Sequence, residues 1–277
     1  MAFKDILVHV DDGKSCPARL ELAVGLAAAH GAHLTGLHVR RPSQLPDFIM
    51  AEYGGEIATL QAKYIAEAAA TAKSLFDQAV KGVEANVEWR DVTGELLDLV
   101  PLHARYADLA IIGQADLNGD DVPARRLVDH LVLDAGRPVL VVPCVGRYPT
   151  LGQKVLVAWN AGREATRAIG DAMPILETAA RVSVLAINPL GGLGGHGELP
   201  GADIALHLAR HGVKAVCQAV RADDLEVGAL LLSRAADEDA DLLVMGAYGR
   251  SRLRELVLGG ATRHVLDHMT VPVLLSH

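Results

Sequence analysis

Gly246-Ala247-Tyr248-Gly249, then nine residues, then Gly259-Gly260-Ala261-Thr262 give the spacing G-x2-G-x9-G-G directly after the apolar run Leu242–Met245. The chemistry such a pattern serves is the holding of an anion. Ligands of open α/β sheets sit beyond the carboxyl ends of the strands, and Gly246 falls at such an end. Gly249 permits a positive torsion or close approach of a ligand, and Gly259-Gly260 opens a helix whose free N–H groups and positive dipole end attract phosphate. Arg250, Arg252, Arg254 and Arg263 concentrate positive charge there, in a chain of net charge −8. Ser251 adds a hydroxyl as a possible phosphate ligand, with no G-x-S-x-G elbow around it to make it a nucleophile. Asn160, closing another apolar run, offers an amide that both donates and accepts toward a base or ribose.

The elements that must position these residues are visible as an internal repeat. Asp5–Asp11 matches Lys154–Asn160, Leu34–Val39 matches Val182–Ile187, Ala107–Gly113 matches Ala240–Gly246, and Pro138–Val141 matches Pro272–Leu275. Each is a short apolar run rich in Val, Ile and Leu, the signature of a strand buried on both faces of a parallel sheet. Helix-forming stretches lie between them: Leu20–Ala29, Gly55–Val83, Glu164–Glu177, Ala202–Arg210, Leu225–Ala236 and Ala261–His268. Alternation of this kind predicts an α/β fold of two tandem Rossmann-like domains. Each is a five-stranded parallel sheet flanked by helices on both faces. The break falls at Val145–Gly152, giving domains of residues 1–147 and 150–277. With so short a linker and an apolar last strand in each half, the two are expected to pack as a pseudo-twofold pair that internalises a dimer.

The glycine spacing, the polar residue closing the first strand of each half, and Trp159–Ala165 resemble the universal stress protein family in its tandem form. The resemblance spans essentially the whole chain, once per half. It implies a site for ATP or a related adenine nucleotide, with Mg2+, in the second half. Ala158 and Asn160 would line the adenine and ribose end, and Ile187 would pack on the base. Met245, Gly246, Tyr248 and Gly249 would wrap the nucleotide, and Gly259, Gly260 and Ala261 would hold phosphate through backbone N–H groups, with Arg250, Ser251 and Thr262 beside them. Two positions depart from the family pattern: Asn160 replaces an Asp, and Gly260 replaces a Ser or Thr. Loss of that hydroxyl removes one hydrogen bond worth about 0.5–3 kcal/mol, so weaker binding is expected.

In the first half only Gly113 survives of the motif. Arg125 and Arg126 align with Gly259 and Gly260 and are expected to fill the phosphate position, while Asp116, Asp120 and Asp121 repel an anion. Although Asp11-Asp12-Gly13 keeps the strand-end Asp, this half reads as structural or partner-binding. Other candidates carry less. His196, His207 and His211 read as solvated surface histidines, with a metal group as the lesser alternative, and His30, His33 and His38 have poorer spacing for a metal still. The glycine-rich run Gly191–Gly197 lacks a P-loop ending and reads as a mobile loop, with a lid over the nucleotide as the lesser alternative, and Cys16 reads as a small buried apolar residue.

Composition excludes several classes. At 277 residues and about 150 per domain the chain holds two cores. With 51% hydrophobic and 22% charged residues it can bury enough to fold. The acidic balance disfavours nucleic acid, and no apolar run approaches the length of a membrane span. Three scattered cysteines and an N-terminus lacking an apolar leader fit a reducing cytoplasm. The function expected is a cytoplasmic stress-response regulator whose nucleotide occupancy changes the surface offered to a protein partner or to a second copy in a homodimer. A slow ATP hydrolase or phosphotransferase and a ligand-free interaction protein are the alternatives.

Overall fold

The computed structural model describes residues 2–41, 47–83, 86–115, 122–189, 201–222, 225–249 and 260–277. Among them the first half runs β1 (Asp5–His9), α1 (Cys16–His30), β2 (His33–Arg40), α2 (Asp47–Ala79), β3 (Val87–Thr93), α3 (Leu96–Ala104), β4 (Leu109–Gly113), α4 (Val122–Asp134) and β5 (Val139–Val142). The second half repeats it as β6 (Lys154–Ala158), α5 (Arg163–Leu176), β7 (Arg181–Ile187), α6 (Ala202–Arg210), β8 (Ala215–Val220), α7 (Val227–Asp237), β9 (Leu242–Gly246), α8 (Gly260–His268) and β10 (Val273–Ser276).

The ten strands form one sheet in the order β3-β2-β1-β4-β5-β10-β9-β6-β7-β8. Within each half every pairing is parallel, as expected. The halves are joined by a single antiparallel pairing of β5 with β10, in which Leu140 faces Leu274 and Val141 faces Val273. The apolar last strands thus supply the pseudo-twofold contact as a shared sheet, which pairs two edges that would otherwise stand open.

Both faces are covered, because crossovers between parallel strands place helices there. Cys16, Leu20, Ala23 and Ala27 of α1, Phe76 of α2 and Ile169 of α5 pack on one face. Val100 of α3, Leu131 of α4, Ala235 of α7 and Val265 of α8 pack on the other. Each core crosses the β5–β10 seam, through Leu140 and Leu274 on one side and Val139 and Leu275 on the other. Local chemistry sets the element ends. Pro17 lies in the first turn of α1, and the helix stops at Gly31, which takes φ 61° and donates its N–H to the last carbonyls. Asp108 accepts from the N–H groups of Lys4 and Asp5, and Asp241 does the same for Gly152, Gln153 and Lys154, fixing where β1 and β6 begin.

No helix among the described residues is long and apolar enough to cross a membrane. Cys16, Cys144 and Cys217 are all free thiols.

Candidate functional site

In each half the strand order changes direction beside its first strand, between β1 and β4 and between β6 and β9. Such a switch point opens a crevice beyond the carboxyl ends of the strands. Since the crossover helices run antiparallel to the strands, the N-termini of α1, α4, α5 and α8 point toward it.

In the second half the crevice is edged by Ala158 and Met245, register partners on β6 and β9, and by Ile187 at the end of β7. Asn160 turns its Oδ1 back to accept from the N–H of Gly162 at 2.9 Å, and Ala161 takes φ 54° to close the turn. Asp11 makes the same turn with Gly13 at 3.0 Å. The turn needs only an acceptor oxygen, so Asn replaces Asp without cost to the backbone and leaves its Nδ2 hydrogens free to donate.

The motif glycines divide into two kinds. At Gly246 a Cβ would stand 2.5 Å from the backbone of Glu164 and Ala165, so this glycine lets β9 abut the start of α5. Among the described residues Gly249 and Gly260 are open: a Cβ would meet Glu164 Oε2 at 3.8 Å in the first case and nothing within 4 Å in the second. The positive torsion expected of Gly249 falls instead on Tyr248, at φ 59°. Tyr248 is buried, and its hydroxyl donates to Asp129 Oδ1 on α4 at 2.5 Å, so its polar end is committed to the first half. Gly260 begins α8 as the spacing predicts, with Ala261 half-buried, Thr262 buried, and Arg263 beside Asp267 at 3.8 Å. Arg250, Ser251 and Gly259, together with Arg252, Arg254 and the Gly191–Gly197 run that contains His196, lie outside the described residues. The rings of His207 on α6 and His211 just past its end lie 4.8 Å apart, tilted by 55°.

One residue of this crevice carried no role in the sequence. Glu164 follows the first residue of α5, its side chain is 13% exposed, and its carboxylate lies beside Gly249 with Arg163 at 3.4 Å. The closeness of Gly246 to the same backbone explains its placement.

The first half holds a cavity of about 1390 Å3 at the equivalent strand ends. Arg125 and Arg126 are exposed on α4 and do not line it. The side chain that enters the crevice is Arg19 of α1, 2% exposed, whose Nη2 donates to Asp11 Oδ2 at 2.8 Å. Its Nη1 fills the space a Cβ on Gly113 would need. Arg19 went unnoticed because it sits in a helix-forming run. The signal was its spacing, three residues after Cys16 and four before Ala23, on the buried stripe. The repeat aligns it with Ala168.

Charge is tightly compensated here. Burial alone would raise the Asp11 carboxyl, but Arg19, His9 and the Gly13 N–H overcome that and hold it at about 2. Burial foremost, opposed by Asp11 but reinforced by Arg19, His38 and Arg41, lowers His9 to about 4. His38 donates from Nδ1 to the Val10 carbonyl at 2.9 Å and stacks on Trp89. Cys16 is buried and its thiol is pushed up by that burial, as a packing residue's would be.

Two copies of one crevice-bearing α/β domain, fused through their last strands, define the class. The Universal stress protein family model matches residues 2–143 and again 153–277, and the chain belongs to that family. It is 29% identical over 211 residues to Universal stress protein Slr1230 of Synechocystis sp., spanning 74% of this chain and 69% of that protein. Among solved structures it resembles a universal stress protein from Archaeoglobus fulgidus, with TM-score 0.71 at 14% identity, covering 98% of this chain and 96% of that one. A functionally unknown protein from Pseudomonas aeruginosa superimposes with TM-score 0.59 at 16% identity, covering 99% and 92%. At these identities the likeness is one of fold.

Proposed function

We propose that the second half binds ATP or a related adenine nucleotide with Mg2+ at the ends of β6, β7 and β9, as a cytoplasmic stress-response module whose occupancy changes what it offers a partner. The observation that carries the reading is the open N-terminus of α8. Among the described residues Gly260 has no atom within 4 Å of its missing Cβ, at the end of the helix where backbone donors and the dipole favour phosphate. Asn160 keeps free amide hydrogens for the base or ribose, Ala158, Ile187 and Met245 give an apolar seat, and Gly249 leaves room above Glu164. Arg250, Ser251, Gly259, Ala261 and Thr262 complete the set by their place in the motif. The donor set fits the cation as well: Glu164 is the carboxylate that this crevice offers Mg2+, which would screen phosphate charge when bound.

Glu164 also favours a second reading, slow hydrolysis or phosphoryl transfer, since a half-sequestered carboxylate can orient a water. Turnover lost in Glu164→Gln with nucleotide affinity retained would select it.

The test is to release and identify any nucleotide carried by the purified protein, then titrate ATP with Mg2+ into wild type and Gly260→Glu. Open space at Gly260 allows the fold to survive the change. Binding near one per chain, lost in Gly260→Glu, supports the proposal. Absence of both carried nucleotide and binding heat overturns it.

A further inference from the structure

Helix α2 carries one apolar stripe from Ile57 to Phe76 but is seated over only part of it. Toward its C-terminus Ala69, Ala72 and Phe76 are buried on α1 and β2, and Gly36 of β2 is bare where the Phe76 ring lies, a Cβ there standing 2.5 Å from it. Toward its N-terminus the stripe continues through Ile57, Leu60, Gln61, Tyr64, Ile65 and Ala68, and there it roofs the first-half cavity. Leu60 and Tyr64 are 66% and 69% exposed. The opposite wall is apolar too, from Val39, Leu96 and Leu127. An amphipathic face that is packed at one end and stands off the fold at the other leaves apolar surface whose burial is favourable.

The floor of the cavity is polar at one end only. Arg19 is buried there with its Nε lacking any hydrogen-bond partner. Lys14 makes no ion pair among the described residues, and α1 starts beside it with no acidic residue in its first turn and no side-chain cap. Among the described residues the cations lining the cavity are Lys14, Arg19, Arg40 and Arg41, against the carboxylates Asp11, Asp12 and Glu95, and Arg40 is tied to Asp91 outside it. Among the described residues the surplus is at most one positive charge and vanishes once Arg40 is counted with Asp91, which leaves a polyphosphate uncompensated, whereas a monoanion needs only Lys14 and the start of α1.

We propose that the first-half crevice binds a free, elongated amphipathic monoanion, with an acyl carboxylate the chemistry that fits. The chain lies along α2 from Ala68 to Ile57, a run of about 16 Å at the helical rise, and the carboxylate lies at Lys14 and the start of α1. The site is separate from the nucleotide crevice and does not depend on that reading.

The experiment is titration of the full chain with cis-parinaric acid, whose fluorescence rises on entering an apolar site, in wild type, Leu60→Glu with Tyr64→Glu, Ala68→Trp and Lys14→Ala. Because Leu60 and Tyr64 are exposed, their variant keeps its fold, checked by circular dichroism. Saturation at one probe per chain is expected, weakened about tenfold or more in the Leu60/Tyr64 and Ala68 variants. Weaker binding in Lys14→Ala and for the methyl ester of the same acid, with saturating ATP and Mg2+ leaving the signal unchanged, is also expected. Unsaturable binding, equal affinity in the Leu60/Tyr64 variant, displacement by ATP, or binding of phosphatidylglycerol vesicles in place of the free acid would overturn the proposal.

Discussion

Acidification from pH 7.5 to 4.5 is expected to destabilise the protein through His9 in particular. Its imidazole sits at the end of β1, 8% exposed, with Arg19, His38 and Arg41 opposing its charge and Asp11 alone favouring it. Folding lowers its pKa from 6.5 to about 4. Between those values the unfolded chain takes up a proton that the folded chain refuses, so stability is full above pH 6.5 and is lost as the pH falls toward 4. Integrating that difference from pH 7.5 to 4.5 gives about 2.5 kcal/mol for this one residue.

Other groups titrate in the same range, so the quantity to measure is a difference. Urea unfolding of wild type and His9→Gln at both pH values removes the shared terms, and wild type should lose about 2.5 kcal/mol more than the variant. Asp11, held at about 2, stays ionised throughout and does not confuse the comparison. Carbon-13 NMR of labelled histidine gives the pKa directly. Equal pH losses in the two proteins, or a His9 pKa near 6, would refute the burial argument.

Tyr248→Phe removes the hydroxyl bonded to Asp129 across the seam and should cost about 1.5–3 kcal/mol, with Asp129→Asn in the Phe background adding little, as a double-mutant cycle by denaturation will read. Gly246→Ala, whose Cβ would stand 2.5 Å from the Glu164–Ala165 backbone, should destabilise by about 1–3 kcal/mol through that clash. Gly260→Ala, in open space, should change melting by no more than about 1 kcal/mol. Thiol labelling of the native protein should find Cys144 quickly, half-buried Cys217 slowly, and Cys16 only after unfolding.

Eight of the ten strands were legible because both their faces are buried and they read as nearly continuous apolar runs. The other two, β3 and β8, are the edges of the sheet. Glu88, Arg90 and Gln218 break the run there, and both strands are largely half-exposed, so the repeat is not visible in them. The helix beginning at Gly260 was readable from its glycine pair. The packing role of Gly246 was not, since a glycine cleared for a ligand and one cleared for a neighbouring helix leave the same mark in a sequence. The first-half cavity escaped for a related reason. Its roof comes from α2 and its polar floor from Arg19, neither of which belongs to the glycine motif.

One aligned pair explains how the two crevices came to differ: Asp11 and Arg19 in the first half, Asn160 and Ala168 in the second. Removing Arg19 alone leaves Asp11 in a crevice without its partner, whereas removing both charges leaves only a missing side chain, and Asn preserves the turn onto Gly13. Arg19→Ala should therefore be the more destabilised protein, and adding Asp11→Asn should restore part of the loss. A coupling of about 1–3 kcal/mol in a cycle of the four proteins is expected, the smaller end reflecting the 37% exposure of the Asp11 side chain. Strict additivity would mean that Arg19 stabilises by packing alone, and the charge compensation assigned to the first-half crevice would fall with it.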